Sequence, residues 1–142
     1  MLEENVSFLG VEAVVLGRTA MGETVSSGSL RDRMRIWRSG RLIYADSLVL
    51  DGEIDGLMRR AAIGKGAKAM AVVVHASDGA KALLDPVRGA LDQAEGLAAA
   101  SCWNGLLAVR LLAPDGETLR HDVALALSAL RGGKPLPRVW RC

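Results

Sequence analysis

Hydrophobic and polar positions change period along the chain. From Phe8 to Leu16 aliphatic and β-branched residues cluster, with Glu12 as the one polar interruption, which predicts a first strand. The stretch Gly17-Arg18-Thr19-Ala20-Met21-Gly22-Glu23 carries two glycines able to take positive φ, and reads as an ordered loop. From Leu30 to Arg38 charged and apolar residues alternate, and Ser39-Gly40 separates this run from Leu42 to Leu50, as a two-residue hairpin turn would. Counting outward from that turn sets Trp37 opposite Leu42, Arg35 opposite Tyr44 and Arg33 opposite Asp46. Ile36–Ile43 and Met34–Ala45 then lie on the other face. One face is expected to be polar and the other core.

After Asp51-Gly52 the pattern turns mixed. Ile54 to Ala62 predicts a short helix, ended by Gly64-Lys65-Gly66, and the valine-rich run from Lys68 to His75 predicts a buried strand. Asp85-Pro86 offers an N-cap followed by proline at the first helical position, with a helix running to about Glu95 and Val87, Ala90, Leu91 and Ala94 on one face. Leu97–Trp103 and Leu106–Leu112 flank Asn104-Gly105, the strongest short signal for a type I′ hairpin. A last helix is capped by Asp115, closed by Gly132-Gly133 and striped with Leu119, Val123, Leu127 and Leu130. The order is that of an α+β fold: antiparallel β-hairpins with a small part of two to three helices. Residues 1–52 form a β-rich part, 53–133 a β/α part and 134–142 an extended tail, together one domain or part of one.

Half of the 142 residues are hydrophobic and only 4% aromatic, so the core is expected to be aliphatic. A formal net charge of +2 is too small for the footprint of most nucleic-acid binders. Cys102 and Cys142 stand far apart without metal-ligand or disulfide-framework spacing, which suits a reducing compartment. No apolar stretch approaches the roughly 20 residues that a membrane span needs, and the acidic start Met1-Leu2-Glu3-Glu4 is unlike a secretory leader. A soluble, cytoplasmic protein with no membrane partner is expected.

Catalytic motifs are largely excluded. Gly64-Lys65-Gly66 fails the phosphate-loop pattern, because position 59 is Arg59 and Gly66 stands where a hydroxyl residue is needed. No serine sits in a G-x-S-x-G elbow. His121 falls on the polar side of its helix. His75 closes a buried strand and is a weak metal candidate, since no second ligand stands at ligand spacing; a structural histidine is the plainer account. Arg31, Arg33 and Arg35 with Trp37 line one strand face, which leaves a nucleic-acid-binding module open beside a partner-facing or internally neutralised surface. A small metal-dependent hydrolase using His75 is the other open alternative.

Three motifs in order add a resemblance. Gly17-Arg18-x-Ala20-x-Gly22-Glu23, then Arg33, Ile36, Arg38, Gly40, Arg41, Leu42 and Tyr44 with Asp46 shortly after, and finally Pro137-Arg138-x-Trp140 resemble the C-terminal half of the UreD/UreH family of urease accessory proteins. Val109-Arg110-Leu111-Leu112 is similar to that family's penultimate strand. The resemblance implies a fragment of a larger, mainly-β fold with no enzymatic activity. It implies a chaperone-like scaffold for nickel insertion and metallocentre assembly, with nickel as a transferred ion and no tightly bound cofactor. The partners it implies are urease apoprotein and other accessory proteins, among them a nickel-carrying GTPase. Glu23 and Asp46 match positions suited to a nickel passage, with Arg18 and Arg33 as passage or partner contacts. A chain lacking the other half of the pattern is also expected to self-associate through exposed strand edges.

Overall fold

The computed structural model describes residues 1–3, 5–17, 22 and 24–140. Among the described residues, six strands and three α-helices follow in the order β1 (Phe8–Val15), β2 (Gly28–Arg38), β3 (Arg41–Gly52), α1 (Ile54–Met58), β4 (Ala69–Ala76), α2 (Leu84–Leu91), β5 (Leu97–Trp103), β6 (Leu106–Ala113) and α3 (Gly116–Leu130). Single 3-10 turns occupy Ala80–Leu83 and Arg138–Trp140. One antiparallel sheet has the order β1-β4-β6-β5, and β2 and β3 form a second, two-stranded sheet, beside which Leu2 makes an isolated parallel bridge to Arg38. This is the α+β arrangement expected. Among the described residues no helix is long and apolar enough to cross a membrane.

The four-stranded sheet is covered on both faces, which explains why β4 and β6 are near-continuous apolar runs. Ala69, Ala71 and Val73 of β4 and Leu107, Val109, Leu111 and Ala113 of β6 turn toward α2 and α3. There they meet Val87, Leu119, Val123, Ala126 and Leu127 in the main core. The alternate residues Val74, Ala76, Leu106 and Ala108 turn the other way and pack on Ile36, Ile43 and Tyr44 of the β2–β3 hairpin. A third cluster of Leu50, Ile54, Met58 and Ala67 closes one end, where α1 folds under the hairpin. The order of layers is therefore hairpin, sheet, helices. β1 leaves the hairpin that follows it in sequence and pairs with β4, so the early and late parts of the chain share one sheet.

Both two-residue turns form as their sequences demand. Ser39 and Gly40 have φ of 47° and 78°, and Asn104 and Gly105 have 50° and 70°, the left-handed pairs of a type I′ turn. The register beyond the first turn departs from simple counting. Trp37 faces Leu42 as expected, but Ile36 then faces Tyr44, so Ile43 is an extra residue bulged out of the pairing. Everything beyond it shifts by one: Met34 faces Asp46, Arg35 faces Ala45, and Arg33 faces Ser47. Because side chains alternate with a period of two, the shift turns Tyr44 and Asp46 away from the arginine face and onto the inner face. The expected Arg33–Asp46 and Arg35–Tyr44 pairs do not form.

Smaller departures have local causes. α2 begins at Leu84, directly after the 3-10 turn, so Asp85 lies in the first helical turn instead of capping it, and the helix ends at Leu91. α1 stops at Met58 because the following residues tighten into turns whose N–H groups bond Arg60 and Met58 carbonyls. The tail is not wholly extended: Trp140 N–H bonds the Pro137 carbonyl, and Trp140 packs on the main core. α3 begins where expected, with Asp115 accepting from Thr118 N–H at 2.8 Å, a bond that holds the Asp115 carboxyl below its ordinary range.

Asp122 is the polar exception in the main core. It is fully buried on α3, and its carboxylate accepts from Glu95 N–H at 2.9 Å and Gly96 N–H at 2.8 Å, with His121 Nδ1 3.0 Å from Oδ1. The carboxylate thus ties the entry of β5 to α3. Gly96 is required there, since a Cβ would collide with the Leu112 carbonyl. Removing the carboxylate strands two backbone donors, each worth about 1–3 kcal/mol when buried and unpaired. Asp122→Ala is expected to lower unfolding stability in urea by about 3 kcal/mol, and Asp122→Asn by less; an Asp122→Ala midpoint equal to the parent's would refute the tie.

Candidate functional site: a carboxylate-lined cleft between sheet and hairpin

The inward turn of β3 builds a cleft. Its floor is a row across the sheet in which Glu12 of β1 pairs with Val72 of β4 and Val72 with Arg110 of β6. Two strand spacings of about 4.8 Å separate Glu12 from Arg110 along that row. Its roof is the inner face of the hairpin, where alternation places Asp32 on β2 and Asp46, Leu48 and Leu50 on β3. The enclosed volume is about 330 Å³, with Met58, Ile63 and Met70 as an apolar end wall.

Asp46 is the best-held of the three carboxylates. Its Oδ2 accepts from Tyr44 Oη–H at 2.9 Å and lies 3.1 Å from Arg110 Nη2, while Oδ1 accepts from Ser47 N–H at 3.0 Å. The Tyr44 hydroxyl is pushed up to about 12, first by burial and then by its bond to the Asp46 carboxylate, with the Arg110 guanidinium opposing. It therefore stays a donor at any physiological pH. Glu12 is raised above its ordinary value of 4.5 by partial burial, then by a side-chain hydrogen bond with Asp32 and the negative charges of Asp32 and Asp46. Carboxylates thus stand on both walls, with a single guanidinium on the β6 side. Among the described residues no three His, Cys, Asp or Glu side chains are grouped closely enough to chelate a metal ion.

The residues singled out in the sequence are not gathered here. Asp46 is in the cleft. Arg33 is exposed on the opposite face of the hairpin, and Arg18 and Glu23 lie outside the described residues. His75 is buried at the end of β4, with Nε2 3.0 Å from Ser77 Oγ and Nδ1 without a hydrogen bond of good geometry. Burial lowers its pKa, the nearby Phe8 backbone opposes that, and the Arg38 guanidinium lowers it further. A neutral imidazole beside a guanidinium is a poor cation site, which fits a structural histidine and leaves the hydrolase alternative without support. Glu12, Asp32 and Arg110 were missed. Glu12 as the one polar residue in an apolar strand, and Arg110 alone in the run Leu106 to Ala113, were the available signals.

Comparison with known proteins places the whole chain. A family model described as UreD urease accessory protein matches residues 1–141. The chain is 48% identical over 139 residues to Urease accessory protein UreD of Xanthobacter autotrophicus, covering 98% of this chain and 48% of that protein. It is 44% identical over 139 residues to the protein so named from Azorhizobium caulinodans, covering 98% and 51%. With the one from a Methylobacterium species it is 50% identical over 136 residues, covering 92% and 48%. The chain spans about half the length of the curated relatives it matches.

The raised pKa of Glu12 sets a pH dependence. The folded state holds this proton more tightly than the unfolded state, so the associated stability is full below about the ordinary 4.5 and is lost as pH climbs through the raised value. Glu12→Gln is expected to gain on the parent across that rise in urea-unfolding midpoints, and the gain should shrink in about 1 M salt, where screening is short-ranged. A difference between the two proteins that does not change with pH would contradict the assignment.

Proposed function

Because the chain belongs to the UreD urease accessory protein family, we propose that it serves urease maturation as part of a non-catalytic scaffold along which nickel passes to urease apoprotein. Its other partners in this role are further accessory proteins, including a GTPase that carries the nickel. Nickel is cargo here, not a resident cofactor. The observation that carries the proposal is the cleft with Glu12, Asp32 and Asp46 on its walls. A passage for a divalent ion needs oxygen donors that attract it and release it, and a complete chelating site would trap it. Carboxylates spread over floor and roof supply the attraction. Arg110 and Tyr44 already occupy one Asp46 oxygen, which lowers the affinity that oxygen can offer a cation.

In this role Asp46 belongs to the passage, with Glu12 and Asp32 added to it. Glu23 and Arg18 keep the place that their motif gives them. Arg33, on the far side of the hairpin, is assigned to partner contact. The test is urease activation at limiting nickel in cells producing this chain together with the remaining half of the family pattern and the other accessory proteins. Glu12→Ala/Asp46→Ala is expected to lower activation at least several-fold while still co-purifying with urease apoprotein, and Glu23→Ala to do the same. Full activation by the Glu12→Ala/Asp46→Ala chain would remove this cleft from the route. Failure of the parent chain to co-purify or activate would reject the accessory role for this half.

A further inference from the structure

We infer that the solvent-facing side of the β2–β3 hairpin is a docking surface for an acidic, extended segment of a partner protein. The inference stands apart from the nickel route, which uses the other side of the same hairpin. Arg31, Arg33 and Arg35 are all exposed on this outer face, opposite Val49, Ser47 and Ala45. Simple counting from the turn would have set Asp46 among them as a counter-charge. The bulge at Ile43 carries that carboxylate to the inner face, and Asp32 points inward as well. What remains is Asp51 at one end, 3.8 Å from Arg31, with both side chains more than three-fifths exposed. Among the described residues no ion pair involves Arg33 or Arg35. The stripe is therefore cationic without being neutralised.

Its borders are apolar. Trp37 and Leu42 face each other at the turn end and are 40% and 39% exposed, and Val49 at the other end is 51% exposed. Arginine and tryptophan, here on one face, are among the residue types enriched at protein-interface hot spots. The spacing selects the form of the occupant. Alternate residues on a strand recur about every 6.8 Å, the same repeat with which an extended peptide presents its side chains, so carboxylates at alternate positions meet successive guanidinium groups one to one. Each such pair can be bidentate, which lysine could not reproduce. Nucleic acid fits less well. Three arginines bounded by Trp37, Leu42, Val49 and Asp51 make a short footprint, and the chain as a whole carries only +2.

The probe is a fluorescein-labelled decapeptide of alternating glutamate and valine, titrated with the full chain by anisotropy at about 50 mM salt. A block-ordered peptide of the same composition and a labelled DNA duplex run beside it. The alternating peptide is expected to bind most tightly, with affinity falling as salt rises. Arg33→Glu/Arg35→Glu should weaken it at least tenfold. Lys81→Glu/Lys134→Glu, an equal change of net charge at two exposed sites outside the hairpin, should weaken it less than twofold. Arg33→Gln/Arg35→Gln, with circular dichroism confirming the fold, should fall between the parent and the reversal. No binding of the alternating peptide, equal losses in the two charge-reversed chains, or tighter binding of the block-ordered peptide or the duplex would each overturn the inference.

Discussion

One inserted residue decides which side of the hairpin is inside. With Ile43 bulged, Ile43 and Tyr44 both reach the sheet, and Asp46, Leu48 and Leu50 follow on the same face. Without it, Ala45, Ser47 and Val49 would face the sheet, and Tyr44 and Leu50, now 2% exposed, would stand in water. Burying a large side chain of this kind is worth about 1.5–3 kcal/mol, so the bulged register is strongly favoured over the regular one. Both chemical features of the molecule descend from this choice. The inner face gains a carboxylate, and the outer face loses its counter-charge.

The sheet beneath transmits that choice because it cannot turn over. β4 and β6 are apolar on both sides, with α2 and α3 below and the hairpin above, so neither strand has a polar face to offer solvent. Arg110 is tolerated in this setting because its head reaches Asp46 at the cleft mouth and its side chain stays largely exposed. On the opposite side Asp122 is tolerated because two backbone donors and His121 meet its carboxylate. Arg110 and Asp122 each find partners on a neighbouring element, as polar groups set against an apolar core require.

Local chemistry made much of this legible beforehand. Ser39-Gly40, Asn104-Gly105, the Asp115 cap and the leucine stripe of α3 act over a few residues, and each formed where the sequence placed it. The bulge was not legible by counting from a turn, because it depends on what the hairpin packs against. Its trace was the apolar triplet Leu42-Ile43-Tyr44, which breaks strict alternation. Asp122 left a similar trace, a carboxylate three residues after Leu119 on a stripe otherwise apolar. The cleft was hidden because Glu12, Asp32 and Arg110 come from three separate strands, and only the strand order brings them together.

The pairing of β1 also has a kinetic side. The hairpin β2–β3 closes through a two-residue turn and needs nothing distant, whereas β1 has β4 as its sheet partner, with the whole hairpin and α1 intervening. Closing that long loop carries an entropy cost that must be met before its contacts form. On a growing chain, then, the β1–β4 ladder must wait until the hairpin, α1 and β4 have been made. The hairpin can be complete by that time, so Glu12 comes in beneath a roof already built.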